Sequence, residues 1–134
     1  MNPVTRRLLD DIDDPGLAEF ALAWDEFEDG LVRLFRGDAL TAPEERRLDE
    51  VRQALPRRLD RWENMLVPHW KATRIDGATP SQSPFRIVLA VERADLPGNR
   101  PVMRALPAAR EALNMLLLER AARSDVGLAG ARLE

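Results

Sequence analysis

The 134-residue chain contains no cysteine. That single absence excludes disulfides, thiolate nucleophiles, iron–sulfur clusters and cysteine-ligated zinc. Histidine occurs once, as His69, which is too few for a histidine-rich metal site within one chain. Lysine also occurs once, as Lys71, so arginine supplies 19 of the 20 basic residues. The seven glycines are scattered singly, and neither GxGxxG nor GxxxxGK(S/T) is present, which removes the common phosphate-cradling loops. No apolar run approaches the roughly 18 residues needed to span a bilayer. Nothing at the N-terminus has the basic-then-apolar layout of a signal peptide. The expectation is a soluble, cytoplasmic protein with no metal or organic cofactor.

What remains is ordinary globular material. A hydrophobic fraction of 45% beside 32% charge is enough to bury a core without staples. We read one helical domain over 1–126 and a frayed tail over 127–134. The net charge of −3 hides an asymmetry. Residues 1–30 carry nine acids against two arginines, while the other 104 residues carry 18 basic groups against 14 acidic ones. The arginine bias has two readings, a GC-rich coding genome or retention of the planar guanidinium for carboxylate and phosphate contacts. Composition does not separate them.

Helix signals recur along the chain. Asn2-Pro3 opens a short helix with Val4, Leu8 and Ile12 at four-residue spacing. Asp14-Pro15 opens a second by the same logic, and Gly37 closes it. Its Leu17, Phe20, Ala21, Trp24, Phe27, Leu31, Val32, Leu34 and Phe35 fall within an arc of about 160° at 100° per residue, with Asp25, Glu26, Asp29, Arg33 and Arg36 opposite. Thr41 with Glu44 three residues on is a capping box, opening a third helix over about 42–67. The stripe of Leu48, Val51, Leu55, Leu59, Trp62 and Leu66 keeps phase through Pro56, so one kinked helix is expected. Asn99 caps a fourth, over about 100–123, with Val102, Leu106, Ala109, Leu113, Leu116 and Leu117 on one face and Pro107 off it. The fold class is therefore mainly α: a small bundle of about three long amphipathic helices plus a short N-terminal one.

Residues 85–91 break the pattern. Phe-Arg-Ile-Val-Leu-Ala-Val alternates as a strand, with Phe85, Ile87, Leu89 and Val91 on one side. We expect a minor β-hairpin pairing 85–91 with 69–75 across the Asp76-Gly77 turn signal.

Two charged residues sit on apolar faces. Glu28 lies near the centre of the second helix's arc, and Arg58 lies inside the third helix's stripe. Each must be paired, exposed at an edge or part of a site. A buried Glu28–Arg58 ion pair would account for both. The acidic run Asp10, Asp11, Asp13, Asp14 is not a calcium loop: one begun at Asp11 has Pro15 at the fifth position and Leu22 where a bidentate Glu belongs. His69 stands beside Trp62 and Trp70, with Glu63, Asp76, Ser81 and Ser83 the nearest candidate partners in sequence, but no catalytic spacing ties these together. Asp60 and Glu63 alternate with Arg57 and Arg61, which suits a salt-bridged solvent face.

The fourth helix points furthest towards function. Its core face is complete without Met103, Met115 and Leu118, which lie on the opposite half with Ala108 and Ala122. A helix apolar on two sides is central to its bundle or shared with another chain. The leading expectation is a non-catalytic interaction or assembly module acting through helix surfaces, as a homo-oligomer or with another protein. One rival is an accessory subunit of a nucleic-acid complex using Arg46, Arg47, Arg52, Arg57 and Arg61, although their helical directions are dispersed. A second is an enzyme whose site, with Glu28, His69 and the arginines, is completed across an oligomer.

Overall fold

The computed structural model describes residues 2–72 and 82–133, with side chains described for 2–72, 82–92 and 94–123. Among the described residues there are five α-helices and no strand: α1 (Pro3–Leu8), α2 (Pro15–Phe35), α3 (Ala42–Ala72), α4 (Pro84–Ala90) and α5 (Arg100–Leu133). Short 3-10 turns follow α1 and α4. None of these helices is long and apolar enough to cross a membrane.

The helix starts are set where the caps lie in the sequence. Asn2 Oδ1 accepts the Val4 and Thr5 N–H groups, and Asp14 Oδ1 accepts those of Gly16 and Leu17. Pro3 and Pro15 each occupy a first helical position, where no N–H is needed. At Thr41 both halves of the capping box form: its N–H donates to Glu44 Oε1 at 3.1 Å, and its hydroxyl accepts the Glu44 N–H at 3.3 Å. Asn99 Oδ1 accepts from Val102. α2 ends in a Schellman turn, with Gly37 N–H bonded to Leu34 O and Asp38 N–H to Arg33 O. Gly37 stands at φ +82°, where a side chain would be strained.

α2 packs on α3, and α3 on α5; α4 lies across α5 and α3, and α1 across α5 and α2. The expected stripes form the core. Leu17, Phe20, Ala21, Trp24, Phe27 and Leu31 of α2 are buried, as are all six stripe residues of α3 and all six of α5. Val32, Leu34 and Phe35 pack partly buried at the edge. α3 runs through Pro56 and on through Pro68 to Ala72, and α5 runs past its expected end to Leu133. Gly30 marks a close approach of α2 to α3, because a Cβ there would stand 2.6 Å from Leu48 Cδ1.

The expected strand at 85–91 is instead helix α4. Pro84 occupies its first turn, and Ile87 N–H bonds to Ser83 O at 3.1 Å. Phe85 and Val88, three residues apart, are buried together, and the Phe85 ring meets Trp24 at 4.8 Å and Phe20 at 6.2 Å. Ile87 and Leu89 pack partly buried on other sides. With these half-buried apolar side chains outside its buried face, a seven-residue helix shows no single stripe, and its sequence imitates alternation. Residues 69–72 of the expected partner strand are also helical; 73–75 and the Asp76-Gly77 turn lie outside the described residues.

Candidate functional site

Glu28 is paired, but not with Arg58. Its partner is Arg110 of α5, whose Nε donates to Glu28 Oε2 at 2.8 Å and whose Nη2 donates to the same oxygen. Arg110 Nη2 also donates to Asp25, and Nη1 donates to Thr5 Oγ1 at 3.0 Å and Asn114 Oδ1 at 3.4 Å. All five guanidinium N–H groups are thus engaged. Asp25 further accepts the Thr5 hydroxyl at 3.3 Å and the Asn2 backbone N–H at 3.1 Å. Thr5, Asp25 and Arg110 are all buried, and the Glu28 side chain is 15% exposed.

This cluster joins α1, α2 and α5 through side chains that come from residues 5 to 114, with the Asn2 backbone N–H added. Asp25 is a correction to the helical reading, which placed it on the solvent face. It stands at the flank of the apolar arc beside Val32, and α1 covers that flank. Arg110 occupies the corresponding flank of α5. A charge next to a core stripe is the signal that would have singled out both.

Arg58 is a half-exposed residue whose Nη1 stands 3.7 Å from Glu19. Its anomaly is the ordinary one of a long stem lying along the core edge with its head in water. Arg57, Asp60 and Arg61 are exposed and Asp60 and Glu63 are salt-bridged, as expected of that face, but the cation bridging both carboxylates is Arg86 of α4, with Nε 3.0 Å from Glu63 Oε2.

His69 meets a residue that sequence spacing does not suggest. Its Nε2 lies 3.0 Å from Glu119 Oε2 of α5, and Glu119 also accepts from Arg123 at 2.7 Å. Ser83 is buried; Asp76 and Ser81 lie outside the described residues. Among the described residues no three acidic or histidine side chains gather as metal ligands.

The arginines of the nucleic-acid reading do not share one environment. Arg47 spans Glu26 through Nε at 2.7 Å and Nη2 at 3.1 Å, Arg52 donates to the Val91 carbonyl, and the Arg61 guanidinium lies 5.5 Å from the Trp62 ring centre. Arg46 and Arg57 are exposed.

Met103, Met115 and Leu118 stand out from α5 at 49%, 48% and 48% exposure. Ala122 is exposed with them, whereas Ala108, expected on that side, is buried. Leu22 on α2 and Met65 on α3 are the other large apolar side chains left exposed among the described residues. Next to Met103 a groove of about 370 Å³ opens between α2 and α5, walled by Val32, Phe35, Met103, Leu106 and Pro107, with Glu28 and Arg110 at its charged end.

Fold and site together define, among the described residues, a mainly α helical bundle with a buried arginine–carboxylate cluster and three half-exposed large apolar side chains on its last helix. No family model, curated protein or solved structure matches the chain.

Proposed function

We propose that the protein is a non-catalytic interaction module that associates with a second copy of itself through the outer face of α5. The observation that carries this reading is the placement of Met103, Met115 and Leu118, each about half exposed on one helix whose opposite face is fully occupied by the core. Exposed apolar side chains scattered singly need no explanation, but Met115 and Leu118 stand three residues apart on the outer side of one long helix, beside the exposed Arg104 and Glu111, and Met103 adds a third at its flank towards α2. Methionine suits such a face because its unbranched side chain adapts to a partner's surface. A two-fold pairing of this helix with its own copy is the commonest way for a soluble protein to cover it.

The cysteine-free sequence makes the test clean. Single cysteines replacing Met103, Met115 or Leu118 are treated with a flexible bis-maleimide and run on a denaturing gel. The reading predicts a covalent dimer from at least two of the three α5 positions, and none from Leu22→Cys, an equally exposed site on α2. Equal yields at Leu22 and on α5, or no dimer from any α5 position, would exclude this interface.

A further inference from the structure

We infer that the groove between α2 and α5 binds a small amphipathic amine, an aromatic or branched aliphatic body carrying a protonated amino group, with the Glu28 carboxylate as its cation anchor. The groove holds about 370 Å³, within the range of small-molecule sites, and lies between helices of a bundle, where such sites form. Its walls are apolar: Val32 and Phe35 from α2, Met103, Leu106 and Pro107 from α5. One end is charged, and the hydrogen-bond count there decides which charge is accepted.

Arg110 has no donor to offer. Each of its five N–H groups is already committed to Glu28, Thr5, Asn114 or Asp25. An anionic ligand in the groove would meet a saturated guanidinium flanked by two carboxylates. Glu28 is in the opposite state. Both of its bonds from Arg110 arrive at Oε2, while a carboxylate has about four lone-pair sites over its two oxygens. Among the described residues in this cluster one guanidinium faces the carboxylates of Asp25 and Glu28, which leaves one negative charge in excess. Of the two carboxylates Glu28 lines the groove and is the more exposed, 15% against 4% for Asp25. An ammonium beside Glu28 would supply the missing charge and donate a charge-assisted bond in a partly desolvated setting. The groove walls would take the apolar body.

The site is separate from the proposed self-association except that Met103 belongs to both. The probes are phenethylammonium and its anionic counterpart 3-phenylpropionate, titrated against protein labelled at the methionine methyls. Phenethylammonium is expected to shift the Met103 methyl saturably, leaving Met65 and Met115 in place, while 3-phenylpropionate does not. Glu28→Gln keeps the shape and removes the charge, and it should weaken the amine about tenfold or more. Met103→Lys, at a half-exposed position that tolerates substitution, should abolish the calorimetric heat of amine binding by placing a like charge at the mouth. The titration is repeated in the Met115→Glu/Leu118→Glu background, so that loss of self-association is read apart from loss of the site. Equal response to both ions, no saturable shift with either, or undiminished amine binding in Glu28→Gln would each overturn the assignment.

Discussion

Arg110 is the residue on which the buried polar chemistry turns. It reaches from α5 to two carboxylates on α2 and a hydroxyl on α1; Asp25 and Thr5 are buried, and Glu28 is largely so. Removing only the cation leaves Asp25 and Glu28 buried against each other. Arg110→Met should therefore cost about 3–5 kcal/mol in urea unfolding. Replacing the whole set, as Arg110→Met with Asp25→Leu and Glu28→Leu, should recover most of that loss, because buried ion pairs often do no better than hydrophobic side chains of similar volume. A triple variant as unstable as the single one would contradict this account. Glu28 was legible in the sequence as a carboxylate on an apolar face, and the need for a partner followed. The identity of the partner did not, since Arg110 is 82 positions away and helical periodicity carries no information across that distance. Arg58 was an attractive false partner because periodicity cannot tell a buried head group from one that escapes to solvent along its stem.

At the scale of elements, caps and long stripes were legible and the short helix α4 was not. Local signals set the starts of α1, α2, α3 and α5, since a cap requires only three or four neighbouring residues. α4 depends on what surrounds it: Phe85 seats against Trp24 and Phe20 of α2, which no local pattern discloses. The cap of α3 has a consequence for pH. Glu44 is held well below the ordinary carboxylate range, at about 2, first by the hydrogen bond from Arg33, then by the Thr41 backbone N–H and the Thr41 side chain. Arg33 is raised by the same contact. A carboxyl whose folded pKa is depressed stabilises the fold above its unfolded value and loses that contribution as pH falls towards the folded one. The α3 N-terminus should thus hold its cap from neutral pH down through pH 4.5 and release it as pH approaches about 2. A carbon-detected NMR titration of the Glu44 carboxyl should show the low midpoint, and Arg33→Met should move it up towards the ordinary range. An ordinary midpoint in the unaltered protein would remove the Arg33–Glu44 contact from the account.

Across the whole molecule, the charge asymmetry of the sequence is answered in part by contacts within the chain. Glu19 faces Arg58 and Glu26 takes Arg47 on α3, while Asp25 and Glu28 take Arg110 on α5. Several of the arginines that composition left ambiguous between coding bias and function are therefore spent on acids of α2. The forked contact of Arg47 with both oxygens of Glu26 is one a lysine would not reproduce. The exposed apolar side chains of α5 have no such internal answer among the described residues. The sequence indicated it by leaving Met103, Met115 and Leu118 off a stripe already sufficient for the core, and those three side chains are exposed. It misplaced Ala108, which is buried, because burial at a helix flank depends on which neighbours lie beside it. The most direct test of self-association is molar mass by light scattering over a dilution series from hundreds to single micromolar. The unaltered protein should reach at least twice its 15.1 kDa chain mass at the concentrated end, and Met115→Glu/Leu118→Glu should stay at 15.1 kDa throughout. An unaltered protein that remains at 15.1 kDa at every concentration, or a double variant that associates as well as the original, would contradict the reading.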